Sequence, residues 1–277
     1  MFKVGVMQGR LSPRPYPKIQ AFPWDTWKDE FEFAKELGVY SIEWIFEQNR
    51  YQENPIWTRN GRRQIAECTR KTGVKTASVC ADYFLENHLF DKTMSERKKL
   101  KDIMKELIKL ASEVEARIIL LPVLEEAEIK SAEDKEVLIE FLHDCDETLR
   151  SNNIRIGIES ELEAELYRQL ICEIGLDSVG VYYDAGNCAA KGYDMEQDLI
   201  TLYDSLISVH IKDRKVNGPS VFLGRGDTNI SGGIQLLLSR AYDGLVVLQT
   251  YFEDDPYHTI NENLSNINET VAKYNGG

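Results

Sequence analysis

Eight short runs rich in Val, Ile and Leu, most of them apolar on consecutive positions, alternate along the chain with longer amphipathic segments. A strand with one face in water alternates apolar and polar residues, whereas a strand covered on both faces does not need to. The runs are Lys3–Met7, Tyr40–Trp44, Val74–Cys80, Arg117–Leu121, Ile154–Ile158, Val179–Tyr183, Leu206–Ile211 and Gly244–Gln249. Helical periodicity fills the gaps: Asp25–Leu37, Gly61–Lys71, Ser95–Val114, Ser131–Arg150, Leu162–Glu173, Asp194–Tyr203, Gly232–Arg240 and His258–Lys273. Ser131-x-x-Asp134 and Ser160-x-x-Glu163 have the spacing of helix-capping pairs, and Gly38, Gly73 and Gly175 stand just past expected helix ends. Eight strand–helix pairs that open on a strand and close on a helix predict an α/β fold, a single (β/α)8 barrel.

A doubly wound open sheet would ordinarily carry a glycine-rich phosphate turn after its first strand, and Gln8-Gly9-Arg10 is no such turn. The length of 277 residues allows one large domain or two small ones. With no Pro/Gly/Ser-rich linker and no shift in composition, residues 1–277 read as one barrel domain.

Charge and cysteine usage narrow the function. The 33 Lys and Arg against 46 Asp and Glu leave a net charge of −13. That counts against nucleic acid as a partner, since holding a phosphate backbone takes a basic face. The five cysteines are odd in number and form no C-x-x-C, so neither a disulfide framework nor a zinc–thiolate site is expected. No apolar run reaches the roughly 18 residues of a membrane span, and the N-terminus lacks a signal-peptide core. The expectation is a cytoplasmic protein without a membrane partner; association into a homo-oligomer is compatible with the sequence.

In a parallel barrel the active site lies at the C-terminal ends of the strands. Glu43 closes the second run, Cys80 and Asp82 the third, Glu159 the fifth, Asp184 the sixth and Gln249 the eighth, and His210 lies within the seventh. Neighbouring strands lie about 4.8 Å apart, so side chains from the last four can converge on one atom. Carboxylates, an imidazole and an amide oxygen suit one divalent ion, Mn²⁺, Mg²⁺ or Zn²⁺. Taken singly, each residue also has a structural reading: a strand-end Asp as a helix cap, a strand His as a hydrogen-bonded core residue. Together they favour a site, because ionisable groups inside apolar strands are costly unless paired or metal-bound. Gln249 is the weakest ligand of the set. Arg10, Lys212 and Arg225 fall on loops at the same rim, where Arg225 either grips a phosphate or pairs with Asp227. Trp44, Trp57, Tyr83 and Phe84 are either walls of a sugar site or core.

At these positions the chain resembles the xylose isomerase-like barrels, and among them the sugar and sugar-phosphate isomerases and epimerases of the D-tagatose 3-epimerase and L-xylulose 5-phosphate 3-epimerase type. The likeness rests on Gly5-Val6-Met7-Gln8-Gly9-Arg10-Leu11-Ser12, Gln20-Ala21-Phe22-Pro23, Ile42-Glu43-Trp44, Ile158-Glu159, Asp184-Ala185-Gly186-Asn187, His210-Ile211-Lys212-Asp213 and Leu223-Gly224-Arg225-Gly226-Asp227. It implies a keto sugar or sugar phosphate as substrate. It makes Glu159, Asp184 and His210 metal ligands, with Glu159 also the acid/base, and puts Arg10, Glu43, Asn187, Lys212 and Arg225 against the substrate. The implied chemistry is proton abstraction next to a carbonyl, through an enediolate.

Two departures stand out. The family's fourth ligand and second acid/base, a Glu, corresponds to Gln249, and Asn187 stands where related epimerases carry His. An amide cannot exchange a proton at neutral pH. That leaves open a one-base isomerase, an inosose-type dehydratase, or a sugar-binding relative without catalysis. Apurinic endonucleases share the fold but gather several zinc ions with many His ligands, and this chain has four His.

Overall fold

The computed structural model describes residues 2–15, 20–251 and 255–276. Eight parallel strands close into a barrel: β1 (Lys3–Met7), β2 (Ser41–Ile45), β3 (Lys75–Cys80), β4 (Ile118–Pro122), β5 (Arg155–Glu159), β6 (Val179–Asp184), β7 (Leu206–Ile211) and, after a two-stranded hairpin of β8 (Asp213–Arg214) and β9 (Ser220–Val221), β10 (Leu245–Leu248). β10 lies between β7 and β1, which completes the ring. Every residue of β2, β6, β7 and β10 is buried, as the unbroken apolar runs require.

The helices are α1 (Asp29–Glu36), α2 (Arg59–Thr72), α3 (Tyr83–Glu86), α4 (Met94–Glu113), α5 (Ala132–Asn152), α6 (Ala164–Ile174), α7 (Ala185–Ala190), α8 (Met195–Leu202), α9 (Ile230–Ser239) and α10 (Pro256–Gly276). Of the apolar stripe along α4 expected from helical spacing, Leu100, Met104, Leu107, Ile108, Ala111 and the following Val114 are buried, and Ile103 is half-buried. Gly38, Gly73 and Gly175 take φ of 69°, 83° and 64°, the left-handed turn expected past three helices. Ser131 caps α5 by accepting from the Asp134 amide at 3.1 Å. The Ser160 cap does not form. Ser160 is buried at the end of β5, and α6 begins only at Ala164, with Glu163 ahead of it making no side-chain cap. Thr93 and Glu96 instead supply a reciprocal capping box, at the start of α4. The two short helices α3 and α7, which follow β3 and β6 directly at the site end, went unpredicted. The five cysteines are free.

Two glycines make room inside the barrel. A Cβ on Gly157 of β5 would lie 2.9 Å from both Cβ and Cδ2 of Tyr182 on β6, and one on Gly5 of β1 would lie 2.8 Å from the Ser41 hydroxyl. Tyr182 is fully buried. The barrel thus accepts a large ring on one strand because its neighbour has no side chain. Gly157→Ala should destabilise the fold by about 1–3 kcal/mol, the usual cost of overpacking, in chemical denaturation. An unchanged midpoint would mean that Tyr182 has another place to go.

Candidate metal centre

The site is built upward from Glu43, which lies inside the barrel with no exposed surface. Register shifts occur where β2 meets β3, between Ile42 and Glu43, and where β6 meets β7, between Val181 and Tyr182. The residue left over is Ala77 on β3 in the first case and Ile207 on β7 in the second, and Glu43 and Tyr182, which follow the shifts on the other strands, meet inside the barrel. Glu43 Oε1 accepts from the Tyr182 hydroxyl at 2.6 Å and from Ser78 Oγ at 2.7 Å. Its other oxygen, Oε2, accepts from His210 Nε2 at 2.5 Å. A carboxylate can only accept, so Nε2 of His210 carries the hydrogen and Nδ1 is the atom turned to the site.

Nδ1 of His210 lies 3.6 Å from Asp184 Oδ2 and 3.7 Å from Glu159 Oε1. Both separations are too long for hydrogen bonds. Asp184 is split in its duties. Its Oδ1 caps α7 by accepting from the Asn187 amide at 2.7 Å, whereas its buried Oδ2 faces the ammonium of Lys212 and the imidazole of His210. Nδ1 of His210 is buried, with no hydrogen-bond partner among the described residues. Glu159, Asp184 and His210 each offer one ligand atom, all within 4.8 Å of one another. Divalent ions bind nitrogen and oxygen at about 2.0–2.2 Å, so ligand pairs around one ion stand roughly 3–4 Å apart. The donor set and the unpartnered His210 Nδ1 fit such an ion.

At the mouth, Lys212 Nζ forms an ion pair with Asp184 Oδ2 at 2.8 Å. The same ammonium donates to Gln249 Oε1 at 2.8 Å. Gln249 Nε2 donates to Gln20 Oε1 at 3.1 Å, and Gln20 Nε2 donates to Asp82 Oδ2 at 2.6 Å. Arg10 is buried and donates to Gln20 Oε1 at 3.3 Å. Asn187 joins the cluster through a long bond to Glu159 Oε1 at 3.4 Å, and its Oδ1 accepts from Arg214 Nη1 at 3.0 Å.

Of the residues expected at the rim, the structure thus gathers Glu159, Asp184, His210, Asn187, Lys212, Gln249 and Arg10 around one mouth. Glu43 is placed differently: not on the rim facing a substrate but beneath His210, because β2 runs on to Ile45 and leaves Glu43 within the barrel wall rather than at its end. Arg225 is exposed, with its guanidinium 5.5 Å from the Phe222 ring. Among the described residues it makes no hydrogen bond or ion pair with the cluster. Its expected partner Asp227 pairs with Lys215 at 3.1 Å instead. The loop between β8 and α9 is held by Asp213, which accepts from the amides of Gly224, Gly226 and Thr228. Trp44 is core, and Trp57 stacks on Phe46 with ring centres 5.3 Å apart. Tyr182, Ser78, Gln20 and Arg214 went unassigned. For the first two a signal existed: each lies two residues before a strand-end polar residue and therefore shares its face.

Burial pushes Glu159 from 4.5 up to about 7, with the charge of Asp184 adding and His210 and Lys212 opposing. Burial also works against the charges of the other members, but their partners prevail. Lys212 and His210 hold Asp184 below the usual carboxylate range. Glu43, with Asp184 and Glu159, holds His210 well above its ordinary value, and His210, Tyr182 and Ser78 hold Glu43 low. The sign for Glu159 follows from linkage. Between pH 4.5 and about 7 the native chain keeps a proton that the unfolded chain has released, so this group's contribution to stability falls as pH rises. In metal-free protein, Glu159→Gln should gain in melting temperature relative to the parent as pH rises across that window. A pH-independent difference would place the proton elsewhere.

Residues 31–270 match the family described as the xylose isomerase-like TIM barrel. No curated protein sequence matches the chain. Solved structures match in fold. D-psicose 3-epimerase from Clostridium cellulolyticum H10, determined with D-tagatose, superposes with a TM-score of 0.76 at 15% identity over 98% of this chain and 99% of its own. The 3-keto-D-glucoside 4-epimerase of E. coli gives 0.74 at 17% identity over 97% and 100%. A barrel protein from Mycobacterium smegmatis in complex with magnesium gives 0.71 at 15% identity over 99% and 97%. At such identities these likenesses speak to the fold alone. With the closed eight-stranded barrel and the match over residues 31–270, the chain belongs to the xylose isomerase-like TIM barrel family.

Proposed function

We propose that the protein is a divalent-metal-dependent isomerase or epimerase of a keto sugar, free or phosphorylated, with Glu159 as the acid/base. The observation that carries this reading is the convergence of one ligand atom each from Glu159, Asp184 and His210 at one barrel mouth, with the buried His210 Nδ1 given no hydrogen-bond partner among the described residues. Glu159, Asp184 and His210 would hold the ion, whose candidates are Mn²⁺, Mg²⁺ and Zn²⁺. When bound, it supplies the Lewis acidity that eases removal of a proton next to a carbonyl. The relatives that act on keto sugars and the one that binds magnesium support the same reading.

The chain's own groups divide the remaining work. Glu159 takes the carbon-bound proton, and its carboxyl can hand that proton to the adjacent carbon, which moves the carbonyl by one position as the hydroxyl proton passes to the former carbonyl oxygen. Glu43 keeps Nε2 of His210 occupied, so Nδ1 stays turned to the ion site. Gln249 has both ends of its amide engaged, by Lys212 and Gln20, and cannot serve as a second base. This favours one-base transfer along the sugar over inversion between two opposed carboxylates.

The test is hydrogen exchange. A panel of ketoses and ketose phosphates is incubated with protein and Mn²⁺ in D₂O and followed by NMR. Deuterium should enter at the carbon next to the carbonyl of at least one sugar, and Glu159→Gln should slow this by about 10²–10⁴-fold. Absence of exchange across the panel, with metal bound, would favour a sugar-binding protein without catalysis.

A further inference from the structure

We propose that Lys212 is a built-in cation that competes with the divalent ion for Asp184 Oδ2, with Gln249 as its second hold, so that a lysine rather than a fourth ligand sets the metal affinity. The inference rests on the metal-site reading above and deepens it.

Three observations converge on Lys212. First, of the two Asp184 oxygens only Oδ2 is available, because Oδ1 is taken by the Asn187 amide, and Oδ2 is the atom against which Lys212 Nζ rests at 2.8 Å. An ion reaching Asp184 must approach that oxygen against the ammonium. Second, the stem of Lys212 runs through a fitted gap. A Cβ on Gly186 would lie 2.8 Å from Lys212 Cγ and 2.9 Å from its Cβ, so α7 packs against this side chain only because glycine stands there. The side chain is 13% exposed, which leaves it little freedom to swing into water.

Third, the amide chain beyond it has only one consistent direction. Lys212 can only donate and Asp82, ionised, can only accept. Gln20 therefore gives its Nε2 to Asp82 and shows its Oε1 to Gln249. Gln249 must then donate to Gln20, and its Oε1 is left facing Lys212. A glutamate at position 249 would set a carboxylate oxygen against Gln20 Oε1. The amide at 249 thus acts as a connector that offers the ammonium a neutral oxygen. When an ion takes Asp184, Lys212 retains Gln249.

The experiment is a titration with Mn²⁺, reading free Mn²⁺ by electron paramagnetic resonance, on the parent, Lys212→Met, Lys212→Gln and Lys212→Arg. Glu159→Ala and His210→Ala serve as controls for the site. Either neutral variant should bind Mn²⁺ about tenfold tighter or more, the lower end of what neighbours of metal ligands usually contribute. Lys212→Arg, which keeps the charge, should stay near the parent. Two neutral variants guard against one that does not fold. If folded Lys212→Met and Lys212→Gln bind no tighter than a parent whose binding is lost in Glu159→Ala, the competition is refuted and the metal site stands. If neither the parent nor the neutral variants bind, the metal site itself falls and the competition with it.

Discussion

The ion pair between Glu43 and His210 lies in the barrel interior with neither side chain exposed. Such a pair is poor evidence for stability, because desolvation offsets much of its attraction, but removing one partner leaves an uncompensated charge and costs about 3–5 kcal/mol. Everything around it answers that demand. Tyr182 and Ser78 fill the acceptor sites of Glu43 Oε1, and Gly157 clears space for the tyrosine ring. The pair also determines which imidazole nitrogen is turned to the site. Core and site are therefore not separable: the residue that makes His210 available to an ion is the one His210 keeps from being an orphaned charge.

Asp184 shows the same economy at the mouth. As the last residue of β6 and the cap of α7, it spends one oxygen on the helix start, which fixes the carboxylate plane, and leaves the other to the cluster. Asn187 supplies the capped amide and, through its side chain, links Glu159 to Arg214. A short helix thus stands in for a rigid bracket. The sequence Asp184-Ala185-Gly186-Asn187 then reads physically: a cap, a glycine where Lys212 passes, and an amide that spans the cluster.

The barrel was legible because its strands are buried on both faces and their apolar runs are continuous, with Lys3–Met7 and Leu206–Ile211 matching the observed strands end to end. The gathering of Glu159, Asp184 and His210 was legible for a related reason: a titratable group closing or interrupting an apolar strand has few bland explanations. What stayed hidden depends on three-dimensional neighbours rather than on strand position. Where a strand stops leaves little mark in the chain, and β2 runs past Glu43 to Ile45, so Glu43 read as a rim residue rather than as the partner beneath His210. The Ser160 cap failed because capping spacing does not fix where the helix begins, and α6 starts only at Ala164. Gln20 joins a residue 62 positions away to one 229 positions away, contacts beyond any local pattern.

Charge balance explains why the carboxylate expected at position 249 is not needed. A buried cluster far from neutrality is costly. With a proton on Glu159 and another on His210, the charges of Glu43 and Asp184 are matched by those of His210 and Lys212. On the proposed reading, a divalent ion would take the place of both protons, and the carboxylates of Glu43, Asp184 and Glu159 would then stand against the ion's two charges and the lysine's one. A fourth carboxylate beside Lys212 would leave an uncompensated negative charge in both states. The glutamine and the lysine are in this sense one substitution in two parts: the ammonium supplies a positive charge, and the amide holds it without adding a negative one.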